Sequence, residues 1–216
     1  GKTVWRNFTL QVSPAVLIPR PETELLIDIV VACIDQSPQA ARLQQGTWVD
    51  LGTGSGAIAL GLAAALPQAQ IVAVDVSDAA LAIARHNAVE NGLGDRIQFL
   101  VGSWFEPLAH WSGQVAGMVS NPPYIPSAIV PTLDPEVAQH EPHLALDGGP
   151  DGLAAVRHLV TTAPRYLQSG GLWAVELMAG QAPAVAHLLQ QSQAYTDGQV
   201  VSDYAGIERF VTAYRQ

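Results

Sequence analysis

The run Val49-Asp50-Leu51-Gly52-Thr53-Gly54-Ser55-Gly56 joins a hydrophobic strand pattern to the apolar stretch Ala57–Leu66 through three alternate glycines. Glycine reaches positive φ without strain and lets a ligand approach the backbone closely. Such a turn between strand and helix belongs at the carboxyl edge of a parallel sheet, where open α/β folds bind their ligands. A dinucleotide fingerprint would place its third glycine at position 57, where this chain has Ala57. The G-x-G-x-G spacing therefore argues against a pyrophosphate ligand. Asp75 closes the next strand pattern 19 residues after Gly56, where a carboxylate can accept hydrogen bonds from both hydroxyls of a ribose.

The rest of the chain fits that frame. Strand patterns at Trp48–Leu51, Ile71–Asp75, Ile97–Val101, Val115–Ser120 and Leu172–Leu177 alternate with helix patterns at Ala57–Leu66, Asp78–Asn91, Asp151–Gln168 and Gln181–Gln190. This is the rhythm of a doubly wound α/β domain. The last two strand patterns, Gln199–Asp203 and Glu208–Tyr214, are too close for a parallel crossover and are expected to pair antiparallel. Seven core strands result, mostly parallel. Ahead of them, Phe8–Val12 and Val16–Ile18 are expected to form a β-hairpin. Pro21 then opens a helix whose stripe is Leu25, Leu26, Ile29, Val30 and Cys33. Residues 1–20 read as hairpin and linker, and residues 21–216 as the main domain.

Pro122–Pro150 breaks the rhythm with seven prolines in 29 residues. Loops of that length inside a compact domain carry function or are disordered, and the prolines point to an ordered, pre-stiffened lid. At its start, Asn121-Pro122-Pro123-Tyr124 ends the fourth strand on the same edge as the glycine loop. Pro122 forces Asn121 out of the helical region, and neither proline has an N–H to occupy a neighbouring carbonyl. The tetrapeptide thus offers carbonyl acceptors, a side-chain amide and a flat ring. That set suits a planar group carrying an NH₂.

Composition narrows the partners. The net charge is −9 with a sequence pI near 4.9, and no Lys/Arg cluster is present. An acidic surface repels phosphate backbones, so direct nucleic-acid binding is not expected. The longest apolar run, Ala57–Leu66, is ten residues, short of the ~17–25 that a membrane-spanning helix needs. The single cysteine, Cys33, permits no internal disulfide, which fits a reducing, cytoplasmic setting. His140 and His143 look like a metal pair but lack a suitably spaced third ligand, so no metal is expected.

Taken together, Gly52–Gly56, Asp75 and Asn121–Tyr124 resemble a class I S-adenosylmethionine-dependent methyltransferase (Rossmann-like) acting on an NH₂ nitrogen. Upstream, Val16-Leu17-Ile18-Pro19-Arg20-Pro21-Glu22-Thr23-Glu24 is similar to the signature of the peptide chain release factor glutamine methyltransferases, the HemK/PrmC family. Further matches are Glu141-Pro142-His143-Leu144-Ala145-Leu146, Gly148-Gly149-Pro150-Asp151-Gly152-Leu153, and Asp203 with Gly206. The resemblance covers essentially the whole chain. It implies methyl transfer from S-adenosylmethionine, leaving S-adenosylhomocysteine, to the glutamine amide of the Gly-Gly-Gln motif in class I release factors. It also implies roles. Gly52, Thr53, Gly54, Ser55, Gly56, Asp75 and Asn121 would hold the cofactor, and Trp104 would flank its adenine. Asn121 and the Pro122 carbonyl would grip the amide, with Pro123 and Tyr124 completing the pocket. Arg20, Glu22 and Glu24 would belong to the pocket wall, and Glu176 is a candidate pocket carboxylate. The family carries a helical domain ahead of the hairpin, so this chain is expected to be the catalytic domain alone. The competing reading is a nucleic-acid adenine-N6 methyltransferase, because adenine also presents a planar NH₂; that chemistry requires a basic groove and base flipping.

Overall fold

A computed structural model describes residues 1–216, the side chains of Ala138, Gln139 and His140 excepted. Its seven-stranded sheet comprises β3 (Thr47–Leu51), β4 (Gln70–Asp75), β5 (Ile97–Val101), β6 (Val115–Ser120), β7 (Leu167–Glu176), β8 (Tyr195–Ser202) and β9 (Glu208–Arg215). The spatial order is β5-β4-β3-β6-β7-β9-β8. β9 runs antiparallel to both its neighbours, and the other pairings are parallel. Strand order reverses between β3 and β6, which leaves a crevice at their carboxyl ends.

β3 and β6 are buried almost throughout, as expected for parallel strands covered on both faces. Their side chains alternate between two cores. On one face Trp48, Ile71 and Ala73 pack with Leu26, Ile27 and Val30 of α1 (Glu24–Gln36) and with α3 (Ala57–Ala65). Val49, Val72 and Val74 face the other way, against Val156 and Leu159 of α6 (Ala154–Thr162) and Val185 of α7 (Ala182–Ser192). The buried line of α1 is Leu26, Ile27, Val30 and Ile34, while Leu25, Ile29 and Cys33 are half-buried at its margin. α2 (Ala40–Gln45) is a short helix without a clear apolar period, and the sequence reading missed it.

Two expectations need correction. The hairpin pairs β1 (Lys2–Trp5) with β2 (Phe8–Gln11), so β2 finds its partner upstream and Val16–Ile18 is loop. Arg6 supplies the turn at φ 50°, and Glu24 accepts from its backbone N–H at 2.9 Å. The helix expected over Asp151–Gln168 spans only Ala154–Thr162, continues as a 3-10 turn at Ala163–Arg165, and gives way to β7 at Leu167. Pro164 breaks it, because a proline N cannot close the helical bond. Within Pro122–Pro150 there are short 3-10 turns and one short helix, α5 (Pro135–His140).

The hairpin is anchored by α4 (Asp78–Glu90). The buried Asn87 accepts from Gln11 N at 2.7 Å and donates to the carbonyls of Gln11 and Ser55. One amide thereby ties hairpin, helix and glycine loop together. A second polar tie lies at the loop's other end. Asp50, fully buried, accepts from the Thr53 hydroxyl at 2.6 Å and from Ala59 N at 3.1 Å, and its Oδ1 has no partner. Burial pushes the Asp50 carboxyl up to about 7, against the pull of Thr53 and Ala59. The native state therefore keeps this proton to higher pH than the unfolded chain does, so stability falls as pH rises from the ordinary carboxylate range toward 7. Asp50 contributes up to about 1.4 kcal/mol per pH unit to that slope. Urea unfolding is expected to show that decline in the wild type and a shallower one in Asp50→Asn. Equal slopes would contradict the assignment.

Candidate functional site

A cavity of about 770 Å³ opens at the carboxyl ends of β3, β4 and β6. Its floor is the glycine loop, with Gly52, Gly54 and Gly56 at φ 77°, 53° and 84°. The three glycines do different work. A Cβ on Gly54 would meet nothing within 4 Å, one on Gly52 would lie 3.8 Å from the Trp104 ring, and one on Gly56 would sit 3.1 Å from Ala84 of α4. Gly56 is thus required by helix packing, and it does not line the cavity. The loop is pinned from two sides. The N–H groups of Gly52 and Thr53 donate to the Val74 carbonyl, and Gly54 N donates to Asp75 Oδ2 at 2.9 Å. Asp75 Oδ1 takes Ser77 N at 2.9 Å, so each carboxylate oxygen is oriented by one backbone bond and keeps a lone pair for a ligand.

Thr53, Ser55, Asp75 and Trp104 line the cavity beside Gly52 and Gly54. Trp104 holds φ 52°, a conformation that costs a bulky side chain free energy. Asn121 and Pro123 line the same cavity, whereas Pro122 and Tyr124 lie outside its lining. Both proline bonds of the tetrapeptide are trans. Asn121 Nδ2 donates to Thr23 Oγ1 at 3.3 Å, which leaves Oδ1 outward. Among the described residues nothing donates to Asn121 Oδ1 or to the Pro122 carbonyl, whereas the Tyr124 carbonyl is taken by Gln181 Nε2 at 2.9 Å. Gly148 and Gly152 exist to let this segment pass. A Cβ on Gly148 would stand 2.8 Å from the Pro123 carbonyl, and one on Gly152 would stand 2.2 Å from that of Tyr124. Burial, with Glu176 nearby, pushes the Tyr124 phenol up to about 12.

The other signature residues are structural supports. Arg20 Nη2 bonds both carboxylate oxygens of the buried Glu141 at 2.8 Å, joining the segment before α1 to the lid. Glu24 holds the hairpin turn, and Glu22 is exposed. None of the three lines the cavity; Pro19 and Thr23 do. Asp203 organises the β8–β9 turn by accepting from Ala205 N, Ile207 N and Arg209 Nε, with Gly206 at φ 78°. The His140 side chain lies outside the described residues. Among the described residues no group of three His, Cys, Asp or Glu could hold a metal ion. Sequence reasoning did not single out Asp50, Thr23 or His158, nor the Val16–Leu17 segment as cavity wall. Thr23 stood inside the signature, and its place beside Asn121 depends on contacts 98 residues apart.

Known proteins share this fold and much of this sequence. The methyltransferase small domain model matches residues 27–133. Over 213 residues the chain is 61% identical to the release factor glutamine methyltransferase of Synechocystis sp., covering 99% of this chain and 71% of that protein. The same-named protein of Thermosynechococcus vestitus is 52% identical, with 99% and 72% covered. Among solved structures, the human METTL16 catalytic domain in complex with MAT2A 3'UTR hairpin 6 superposes with a TM-score of 0.73 at 16% identity, covering 96% of this chain and 75% of that one. A likeness at that identity speaks for the fold, which is that of the class I methyltransferases with an antiparallel last strand pair. Among the described residues no helix is long and apolar enough to cross a membrane. On the identity shared along almost its whole length, the chain belongs to the release factor glutamine methyltransferase family.

Proposed function

We infer that this protein transfers a methyl group from S-adenosylmethionine to the side-chain amide nitrogen of the glutamine in the Gly-Gly-Gln motif of class I peptide chain release factors. The observation that carries the reading is a pair of carbonyl acceptors without donors, Asn121 Oδ1 and the Pro122 carbonyl, at the sheet edge that holds the cavity. The residues suit the cofactor. Gly54 presents bare backbone to the cavity, and Asp75 keeps one lone pair per oxygen for a pair of hydroxyls. Gly52 to Ser55 are assigned to its amino-acid and ribose portion, and Trp104 to its adenine. When bound, S-adenosylmethionine supplies an electrophilic methyl group on a sulfonium.

A carboxamide nitrogen is a poor nucleophile because its lone pair is delocalised into the carbonyl. Asn121 Oδ1 and the Pro122 carbonyl are assigned to accept its two N–H bonds. That raises electron density on nitrogen and fixes its line of approach. Positioning of this kind contributes up to ~7–11 kcal/mol. No strong base is needed before attack, since the proton to be lost becomes acidic once the fourth bond to nitrogen forms. Tyr124 and Pro123 are assigned to the walls on either side of the amide plane. Residues 21–216 constitute the catalytic domain in this reading, with residues 1–20 as hairpin and linker. A protein substrate, rather than a nucleic acid, agrees with a net charge of −9. Release factors act in the cytoplasm, and the reaction is assigned there.

Incubating a class I release factor with the protein and S-adenosylmethionine is expected to add the mass of one methyl group, located on the motif glutamine by fragment-ion analysis. An unmodified factor would contradict the reading. Asn121→Ala is expected to lower kcat by ~10²-fold or more while leaving cofactor affinity within a few-fold; retained turnover with lost cofactor binding would reverse the roles. Asp75→Ala is expected to weaken S-adenosylhomocysteine binding ~10- to 150-fold by calorimetry. Unchanged affinity there would remove Asp75 from the site.

A further inference from the structure

At the end of β7, behind the cavity, Glu176 is only 2% exposed, and its Oε2 is buried without a partner. A buried carboxylate with an idle oxygen is costly, so its retention calls for a role. Glu176 is not among the residues lining the cavity, whereas Thr23 and Asn121 are. Thr23 is itself 3% exposed, and its Oγ1 accepts from Asn121 Nδ2. A hydroxyl has one proton, which rotates to suit its surroundings. With the Thr23 oxygen engaged by the Asn121 amide, that proton must point to another acceptor. β6 pairs with β7 so that Ser120 stands opposite Val175, which sets Asn121 beside Glu176, and Thr23 and Asn121 are among the side chains that pull the Glu176 carboxyl down against its burial.

We propose that Glu176 is a positioning residue that sets the direction of a three-group relay: its carboxylate takes the Thr23 hydroxyl proton, Thr23 then accepts from the Asn121 amide, and Asn121 Oδ1 is thereby turned toward the substrate. The inference rests on the assignment of Asn121 to the glutamine amide. The two ends of an asparagine amide are nearly alike in shape. Rotated by half a turn, Asn121 would set its own NH₂ against the substrate's, donor against donor. The relay removes that alternative and makes the pocket one for a group bearing two N–H donors. A glutamate side chain, which only accepts, would meet two more acceptors.

The relay has a built-in pH sense. Burial pushes the Glu176 carboxyl up to about 7; Thr23, Arg209 and Asn121 pull it down, and Glu22 pushes it further up. Burial, Glu176 and Glu22 push the Tyr124 phenol up, and Arg209 and Arg20 pull it down. Once protonated, Glu176 donates instead of accepting, the Thr23 proton swings toward Asn121, and the amide orientation reverses. Substrate binding and turnover therefore decline as pH falls through about 7.

The test uses a Gly-Gly-Gln peptide and four proteins: wild type, Thr23→Val, Thr23→Ser and Glu176→Gln. Steady-state kinetics across neutral pH are read beside calorimetric binding of the peptide to the S-adenosylhomocysteine-loaded proteins. Thr23→Val is expected to lower kcat about tenfold with cofactor affinity unchanged, and Thr23→Ser to recover it. Glu176→Gln, which cannot titrate, is expected to flatten the dependence of peptide affinity on pH near 7. Wild-type kcat in Thr23→Val, or the same pH dependence in Glu176→Gln as in wild type, would overturn the relay. A melting scan identifies any variant that has lost its fold, and the binding arm then rests on the remaining variant. A wild type that binds the peptide with the expected pH dependence yet transfers no methyl would instead refute the methyl-transfer reading and leave the relay standing.

Discussion

Two consecutive prolines remove the backbone donors just where β6 leaves the sheet, and the site is arranged around the carbonyls this leaves uncommitted. A loop of ordinary residues would turn its N–H groups on neighbouring carbonyls, as Ile125 and Ser127 do just downstream with the carbonyls of Leu146 and Gly149. Pro122 and Pro123 cannot do this. Their segment still has to be rigid, and the rigidity comes from outside it. Gly148 and Gly152 pass so close to the Pro123 and Tyr124 carbonyls that any side chain there would displace them. Ile125 exchanges backbone bonds with Leu146 and Gly148 on the returning arm of the lid. The lid thus fixes the tetrapeptide at its base, and Arg20 clamps it to the main body through Glu141.

The cofactor side follows a complementary logic. There the backbone N–H groups are plentiful, and carboxylates organise them. Asp75 fixes Gly54 and Ser77; Asp50 fixes Thr53 and the start of α3. The two acids stand close enough that Asp75 adds to the upward push on the Asp50 carboxyl. One acid remains at the cavity with spare lone pairs, while the other is sealed beneath it. Asn87 ties the same loop to the hairpin.

What the sequence made legible is what short stretches of chain determine. The glycine spacing, Asp75 at the end of its strand and Asn-Pro-Pro-Tyr are local patterns, and β3, β4 and β6 follow from runs of buried residues. The antiparallel final pair followed from a connection too short to cross over. The failures have a different origin. β2 can pair with either flanking segment by composition, and the choice fell upstream because Arg6 could make the tight turn and Glu24 could hold it. The helix near Asp151 was drawn too long because its apolar period runs past Pro164 into β7. The Thr23–Asn121 contact joins residues 98 apart in the chain, and no single-sequence pattern carries such a pairing. Glu176 was visible only as an acid on the right edge; its burial behind Thr23 and Asn121 is a tertiary fact. Likewise Arg20 and Glu24 stood out as signature residues, yet each acts through one long-range polar contact rather than at the cavity.

The central claim is that a substrate amide is held by its two N–H bonds between Asn121 Oδ1 and the Pro122 carbonyl. A crystal structure of the protein with S-adenosylhomocysteine and a Gly-Gly-Gln peptide tests it directly. The account predicts the glutamine side-chain nitrogen within about 3 Å of both oxygens. A glutamine bound with its carbonyl oxygen toward Asn121, or bound elsewhere in the cavity, would contradict it.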